Sequence, residues 1–213
     1  MEIFERIEAG DVEAVRRLAA EDPSVANARD ANGISAVLQA RYRFEPEMVD
    51  ALLAANPELD VFEAAGLGRT ERLRELVDAQ PDLVRAWSPD GFAPLHLAAF
   101  FGHETAARLL VERGADVRAV ARNPLAVQPL HSAAAGSHAG IVQALLEVGA
   151  DANARQSGGF VPLHAAAQSG DSATSELLLA HGADPSIGND DGKTAADFAG
   201  DAGHEELARR LRG

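Results

Sequence analysis

Apolar residues arrive along this chain in short bursts at a recurring interval. Three-residue runs stand at Leu109-Leu110-Val111, Ala144-Leu145-Leu146 and Leu177-Leu178-Leu179, and each ends three residues before a glycine. Around the first run, Thr105 to Arg113 place Ala106, Leu109 and Leu110 on one helical face. Gly114 follows as a helix C-cap. A shorter helix precedes it, opened by Pro94, because proline suits the first helical position, where no N–H bond is lost. Ala98 and Ala99 let a neighbouring helix approach, and Gly102 ends this first helix. Upstream again, Pro89-Asp90-Gly91 signals a turn. The pattern therefore predicts a turn, a short helix, a turn and a longer helix. Leu178, in the middle of its triplet, is expected in the core.

This unit repeats. Pro-Leu-His occurs three times, with His96, His131 and His164 spaced by 35 and 33 residues. Gly-Ala-Asp begins at Gly114, Gly149 and Gly182 with the same two steps. Carried outward, the frame puts Asp197 in the histidine slot downstream and Phe62, Leu38 and Phe4 in it upstream. The seven slots step by 34, 24, 34, 35, 33 and 33 residues. These motifs resemble the ankyrin repeat, a unit of about 33 residues with a Thr-Pro-Leu-His-x-Ala pattern.

The resemblance covers essentially the whole chain and is strongest over 88–188. It implies an all-α solenoid of about seven helix-turn-helix repeats with short β-hairpin fingers. The units fall at about 1–29, 30–60, 61–87, 88–122, 123–155, 156–188 and 189–213, as one domain over 1–213. Neither helix of a unit can bury its apolar face alone, so neighbours must stack into a continuous core. The outermost helices carry Glu2, Glu5, Arg6 and Glu8 at one end and Glu205, Glu206, Arg209 and Arg210 at the other. They read as polar caps of a complete array.

Three departures from the pattern stand out. Ala93, Gln128 and Val161 replace the threonine that caps the first helix in the family, while Thr194 and Ser35 keep a hydroxyl; each loss costs ~1 kcal/mol of local stability. Two extra residues in Asn123–Gln128 predict a hairpin that reaches further or bulges. The 24-residue step between Leu38 and Phe62 leaves out about ten residues of hairpin,. A missing finger and a notch in the finger row are expected there.

Composition narrows the partners. The 213 residues carry a net charge of −14, which repels phosphate backbones and anionic lipid, so neither nucleic acid nor membrane is expected,. The basic residues are 18 arginines and a single lysine, Lys193, and no run of them makes a patch,. With no cysteine, disulfides, thiol nucleophiles and cysteine-based zinc sites are excluded,. The acidic, amphipathic start does not read as a signal peptide. A cytoplasmic monomer is the expectation, and the bias to arginine and alanine associates it with a GC-rich bacterial genome.

Candidate chemistry is sparse. Every histidine falls in a recurring slot: His96, His131 and His164 after Pro-Leu, His103, His138 and His204 in the turn between helices, and His181 before Gly-Ala-Asp. By the resemblance, the slot ring bonds to nearby backbone and joins adjacent repeats. Stacked helices stand ~8–10 Å apart, too far for successive rings to share one zinc at ~2.1 Å. Gly188–Thr194 is one residue short of a phosphate loop and carries Asp190 and Asp191. The segments at His103 and His204 lack the second histidine of a zinc-protease helix. No enzyme, metal or cofactor is therefore expected.

Aromatic placement is informative. The family's variable positions are the hairpin tips and the concave face of the first helix, the fourth and fifth residues after the slot. Six of the ten aromatic residues occupy them: Tyr42, Trp87, Phe92, Phe100, Phe101 and Phe160. An aromatic patch on such a face marks an interaction site. The expected partner-binding set is Tyr42, Arg43, Trp87, Phe92, Phe100, Phe101, Phe160 and Gln168, with Arg41 beside Arg43 on an arginine rim. Trp87, Phe92, Phe100 and Phe101 are expected to converge beside the notch, with Phe101 exposed. The resemblance implies a non-enzymatic module that binds another protein. The alternative is a small-molecule binder or enzyme using an aromatic pocket near the missing finger between repeats two and three.

Overall fold

Seven helix pairs follow one another. A computed structural model describes residues 1–213. The helices are α1 (Glu2–Ala9) and α2 (Val12–Glu21), α3 (Ala36–Tyr42) and α4 (Pro46–Leu53), α5 (Val61–Gly66) and α6 (Thr70–Ala79), and α7 (Pro94–Phe100) and α8 (Glu104–Glu112). They continue as α9 (Pro129–Ala135) and α10 (Ala139–Glu147), α11 (Pro162–Gln168) and α12 (Ser172–Ala180), and α13 (Ala195–Asp201) and α14 (Glu205–Arg212). First helices stack on first helices, as α7 does on α5 and α9, and second helices stack likewise. The hairpin fingers are turns more than strands, since only Arg29–Ser35 and Gly188–Thr194 form β-bridges.

Small residues make the close stack possible. Ala64, Ala98, Ala133 and Ala166 are fully buried between first helices, and Leu110, Leu145 and Leu178 are buried on the second helices. The core runs in two clusters. One is built on Ile3, Ile7, Val15, Met48 and Leu52, and a larger one runs from Leu38 and Val61 to Leu211.

The slot histidines hold the first helices at both ends of their rings. Nδ1 of His96, His131 and His164 accepts the backbone N–H of Ala93, Gln128 and Val161 at 3.2, 3.2 and 2.9 Å. Their Nε2 atoms lie 3.1, 2.9 and 3.1 Å from the carbonyl oxygens of Val127, Ala154 and Ile187. Each ring is thus the neutral tautomer with its proton on Nε2. It ties the N-cap residue of its helix to the next linker, at the positions that lack a capping threonine. In the last repeat Asp197 takes this role, accepting from Thr194 N–H at 2.9 Å.

Repeat three corrects one assignment. Glu63, not Phe62, does the slot histidine's work: its Oε2 accepts Asp60 N–H at 2.7 Å, closing a capping box. The reason is that α5 is one residue shorter than α7, so its cap shifts by one position along the chain. Burial raises the pKa of this carboxyl, with nearby Asp60 adding to the rise.

The missing finger leaves no notch. Linker atoms close the base of the gap, where Arg29 pairs with Asp60 at 2.8 Å and Asn27 Oδ1 accepts Glu58 N–H at 2.8 Å. At the tips, a methyl added to Gly33 would meet Pro89 at 3.2 Å, so the fingers of repeats two and four touch directly. From there the row is continuous. Arg122 N–H donates to Gly91 O at 2.7 Å, Ser157 N–H to Leu125 O at 3.1 Å, and Asp190 N–H to Gly158 O at 2.9 Å.

Candidate functional site

A groove of about 460 Å³ opens between the fingers and first helices of repeats four to six. Phe100, Ala135 and Gln168, the fourth residues after the slots, line its floor, with Tyr42 at one end. Phe92, Leu125, Val127 and Phe160 form its finger wall. Leu125 belongs to the lengthened fifth finger and is 54% exposed. The two extra residues therefore bring an apolar side chain over the groove, which answers the expected bulge. Ala126 beside it takes a left-handed backbone, with φ of 50°.

Six polar side chains line the groove, and three of them, Tyr42, His96 and His131, are held in hydrogen bonds. His96 and His131 lie in its wall. Burial pushes both imidazoles down to about 4, so they are neutral near pH 7. Tyr42 donates to Asp90 Oδ2 at 2.6 Å, and burial raises its phenol, with the Asp90 carboxylate adding to the rise. No cluster of three or more His, Asp or Glu side chains is arranged to hold a metal ion.

The expected site residues separate into several places. Tyr42, Phe92, Phe100, Phe160 and Gln168 meet in the groove. Arg43 does not; it lines a shallower depression with Phe4, Glu8 and Asp30 at the N-terminal end. Trp87 also lies elsewhere, in a second groove lined by Arg85, Arg118 and Arg122. His96 stands between the two grooves, with ring centroids 6.0 Å from both Trp87 and Phe92. The four-ring convergence expected beside the gap therefore does not form, and the aromatic groove lies further along the array.

Phe101 is the clearest correction. Expected to be exposed, it is 7% exposed and part of the larger core cluster. The fifth residue after the slot is the C-cap of the first helix, where the chain turns away from the groove. Gly66 occupies the corresponding fourth position of repeat three and leaves room, and a methyl there would lie 3.6 Å from the Phe101 ring. The ring fills that space and reaches Tyr42 at 5.9 Å between centroids, with the Arg41 guanidinium 4.3 Å above it. Arg41 Nε donates to Gly66 O at 3.1 Å, and burial lowers its pKa. Arg41 is thus part of the seal over repeat three, not a rim residue.

Besides Leu125, a further residue escaped the sequence reading. Phe44 is 59% exposed, and its ring lies 5.9 Å from Phe100 and 5.8 Å from Phe101. It occupies the turn position held by Gly10, Gly68, Gly102, Gly170 and Gly203, all with positive φ, and it adopts φ of 57° itself. An aromatic residue in a glycine slot was the available signal.

Comparison with known proteins agrees with this architecture. The family model for ankyrin repeats, three copies, matches residues 5–121, 61–156 and 130–212. The chain belongs to the ankyrin repeat family. Ankyrin repeats are in general modules of protein–protein interaction. Ankyrin repeat and SAM domain-containing protein 6 of Mus musculus is 34% identical over 87 residues, covering 38% of this chain and 10% of that protein. Its counterpart in Danio rerio is 31% identical over 103 residues, covering 45% of this chain and 14% of that protein. The chain therefore matches only a small part of these ankyrin proteins.

Proposed function

We propose that this ankyrin array is a non-enzymatic protein-binding module whose partner enters the groove between the fingers and first helices of repeats four to six. The observation that supports this is the gathering of Tyr42, Phe92, Phe100, Leu125 and Phe160 around one groove of about 460 Å³. Fingers and first helices are the parts of a repeat that stacking does not fully cover, so rings placed there are available to a partner. Phe44 extends the apolar surface beyond the groove mouth. Aromatic anchors of this kind commonly contribute ~2 kcal/mol or more each to an interface.

The reading includes a monomer acting in the cytoplasm, which light scattering and cell fractionation test. Capture from native lysate by the wild type and by Phe100→Glu tests the groove itself. With melting temperatures matched, the variant should lose the captured protein. Equal capture by both would move the interface elsewhere.

A further inference from the structure

Trp87 lies half-buried in a second groove of about 560 Å³, between the arm leading to repeat four and the arm leading to repeat five. Three arginines line the same groove. The Arg122 guanidinium lies 4.4 Å from the Trp87 ring centroid. Arg85 Nε donates to Gly114 O at 3.4 Å, and Arg118 Nε to Gly149 O at 2.9 Å. These backbone bonds use the inner nitrogen of each fork and leave the terminal nitrogens free. All three side chains are exposed.

None of the three forms an ion pair, whereas Arg29, Arg113, Arg155 and Arg210 each find a carboxylate. Seven other arginines are likewise in no ion pair, so what marks this groove is that three such arginines line one depression with the chain's only tryptophan. The groove's one carboxylate, Asp116, accepts Arg118 N–H at 2.9 Å through Oδ1 and so is used locally. Beside the arginines, Val120 is 48% exposed and offers an apolar edge. We propose that this groove binds an acidic, leucine-bearing peptide segment of a partner protein, with carboxylates on the arginine forks and an apolar side chain against Trp87 and Val120. Charge complementarity selects this occupant, because guanidinium forks match carboxylates bidentately and a flanking ring excludes water from the pairs. This groove shares no lining residue with the aromatic groove.

Trp87 is the chain's single tryptophan, so its emission reports on this groove alone. The probe is a tryptophan-free Glu-Leu-Glu-Leu-Glu peptide titrated into the full chain, with a Lys-for-Glu counterpart and inorganic phosphate as controls. The acidic peptide should change Trp87 emission saturably, and the basic one should not. Arg122→Gln should weaken binding about tenfold, and the triple variant with Arg85→Gln and Arg118→Gln about a thousandfold, at roughly one decade per charged hydrogen bond. Raising salt from about 50 to about 500 mM should weaken it further. Phe100→Glu should leave it unchanged, which separates this result from the fate of the aromatic groove. No response up to about 1 mM peptide, an equal response to the basic peptide or to phosphate alone, or full affinity in a folded triple variant would overturn the proposal.

Discussion

Tyr42 Oη donates to Asp90 Oδ2 at 2.6 Å, joining the first helix of repeat two to the finger of repeat four. The bond spans repeat three, which has no finger of its own. The phenol is half-buried and Asp90 Oδ1 also receives the Ser88 hydroxyl, so the carboxylate anchors the tip of the turn. Tyr42→Phe should cost ~1–2 kcal/mol, the range for a hydrogen bond to a charged group that stays partly solvated. It should also speed hydrogen exchange at the Ser88 and Gly91 amides, whose bonds close that turn. Unchanged exchange there would mean that the finger holds its place through Pro89 and the Arg122 N–H bond to Gly91 O without Tyr42.

The two neighbouring phenylalanines should behave in opposite ways. Phe101→Ser removes a core ring and adds a hydroxyl, and should cost ~3–5 kcal/mol, as large-to-small changes at buried aromatics do. Leu178→Ala, at a fully buried leucine, should cost ~2–4 kcal/mol,. Phe100→Ser removes a half-buried ring from the groove floor and should cost distinctly less than either. Urea melts of the three variants rank them, and a Phe100 loss as large as that of Phe101 would place both rings in the core.

Much of this molecule is legible in its letters because stacking is periodic. Histidine, glycine and leucine recur at fixed spacing, and each helix pair can be placed from them. What escapes the letters depends on contacts between units. Phe101 reads as a surface ring until Gly66, thirty-five residues earlier, is seen to leave it a space. The notch reads as open because the missing finger is visible in the numbering, while its closure by Arg29, Asp60, Tyr42 and Asp90 is a matter of reach. Glu63 is misplaced by one because the short helix loses its residue at the cap end. Trp87 and Phe92 are five residues apart, yet face different grooves with His96 between them.

Stability should fall on mild acidification. His96 and His131 are depressed from 6.5 to about 4 by burial. As pH falls below about 6.5, the unfolded chain takes protons that the folded rings refuse, so the native state loses ground. The loss should accumulate down to about pH 4, where the folded rings also protonate, and these two groups add nothing below that. Each shift corresponds to roughly 3 kcal/mol at most, at 1.36 kcal/mol per unit. Urea midpoints between pH 7.5 and 4.5 check this, and His96→Gln should flatten the dependence in part, because burial also lowers His103 and His164. A wild-type midpoint that holds steady across that range would show that the rings protonate without unfolding.

Phe44 gives the sharpest separation of stability from recognition. Its left-handed backbone costs a non-glycine residue roughly 1–2 kcal/mol. Against this, the ring buries less than half its surface, and its edge contacts with Phe100 and Phe101 contribute about 0.5–1.5 kcal/mol. These terms nearly cancel, so the fold gains little from an aromatic residue where five other turns use glycine. Asparagine tolerates this conformation well, and Phe44→Asn should leave stability within ~1 kcal/mol of wild type. Binding of a partner in the aromatic groove should fall by tenfold or more if the ring continues that surface, the effect expected of a lost anchor at ~1.4 kcal/mol per decade. The melting temperature alone already discriminates. A drop comparable to that of Phe101→Ser would make Phe44 a lid that stabilises the seal over repeat three, and it would remove Phe44 from the binding surface.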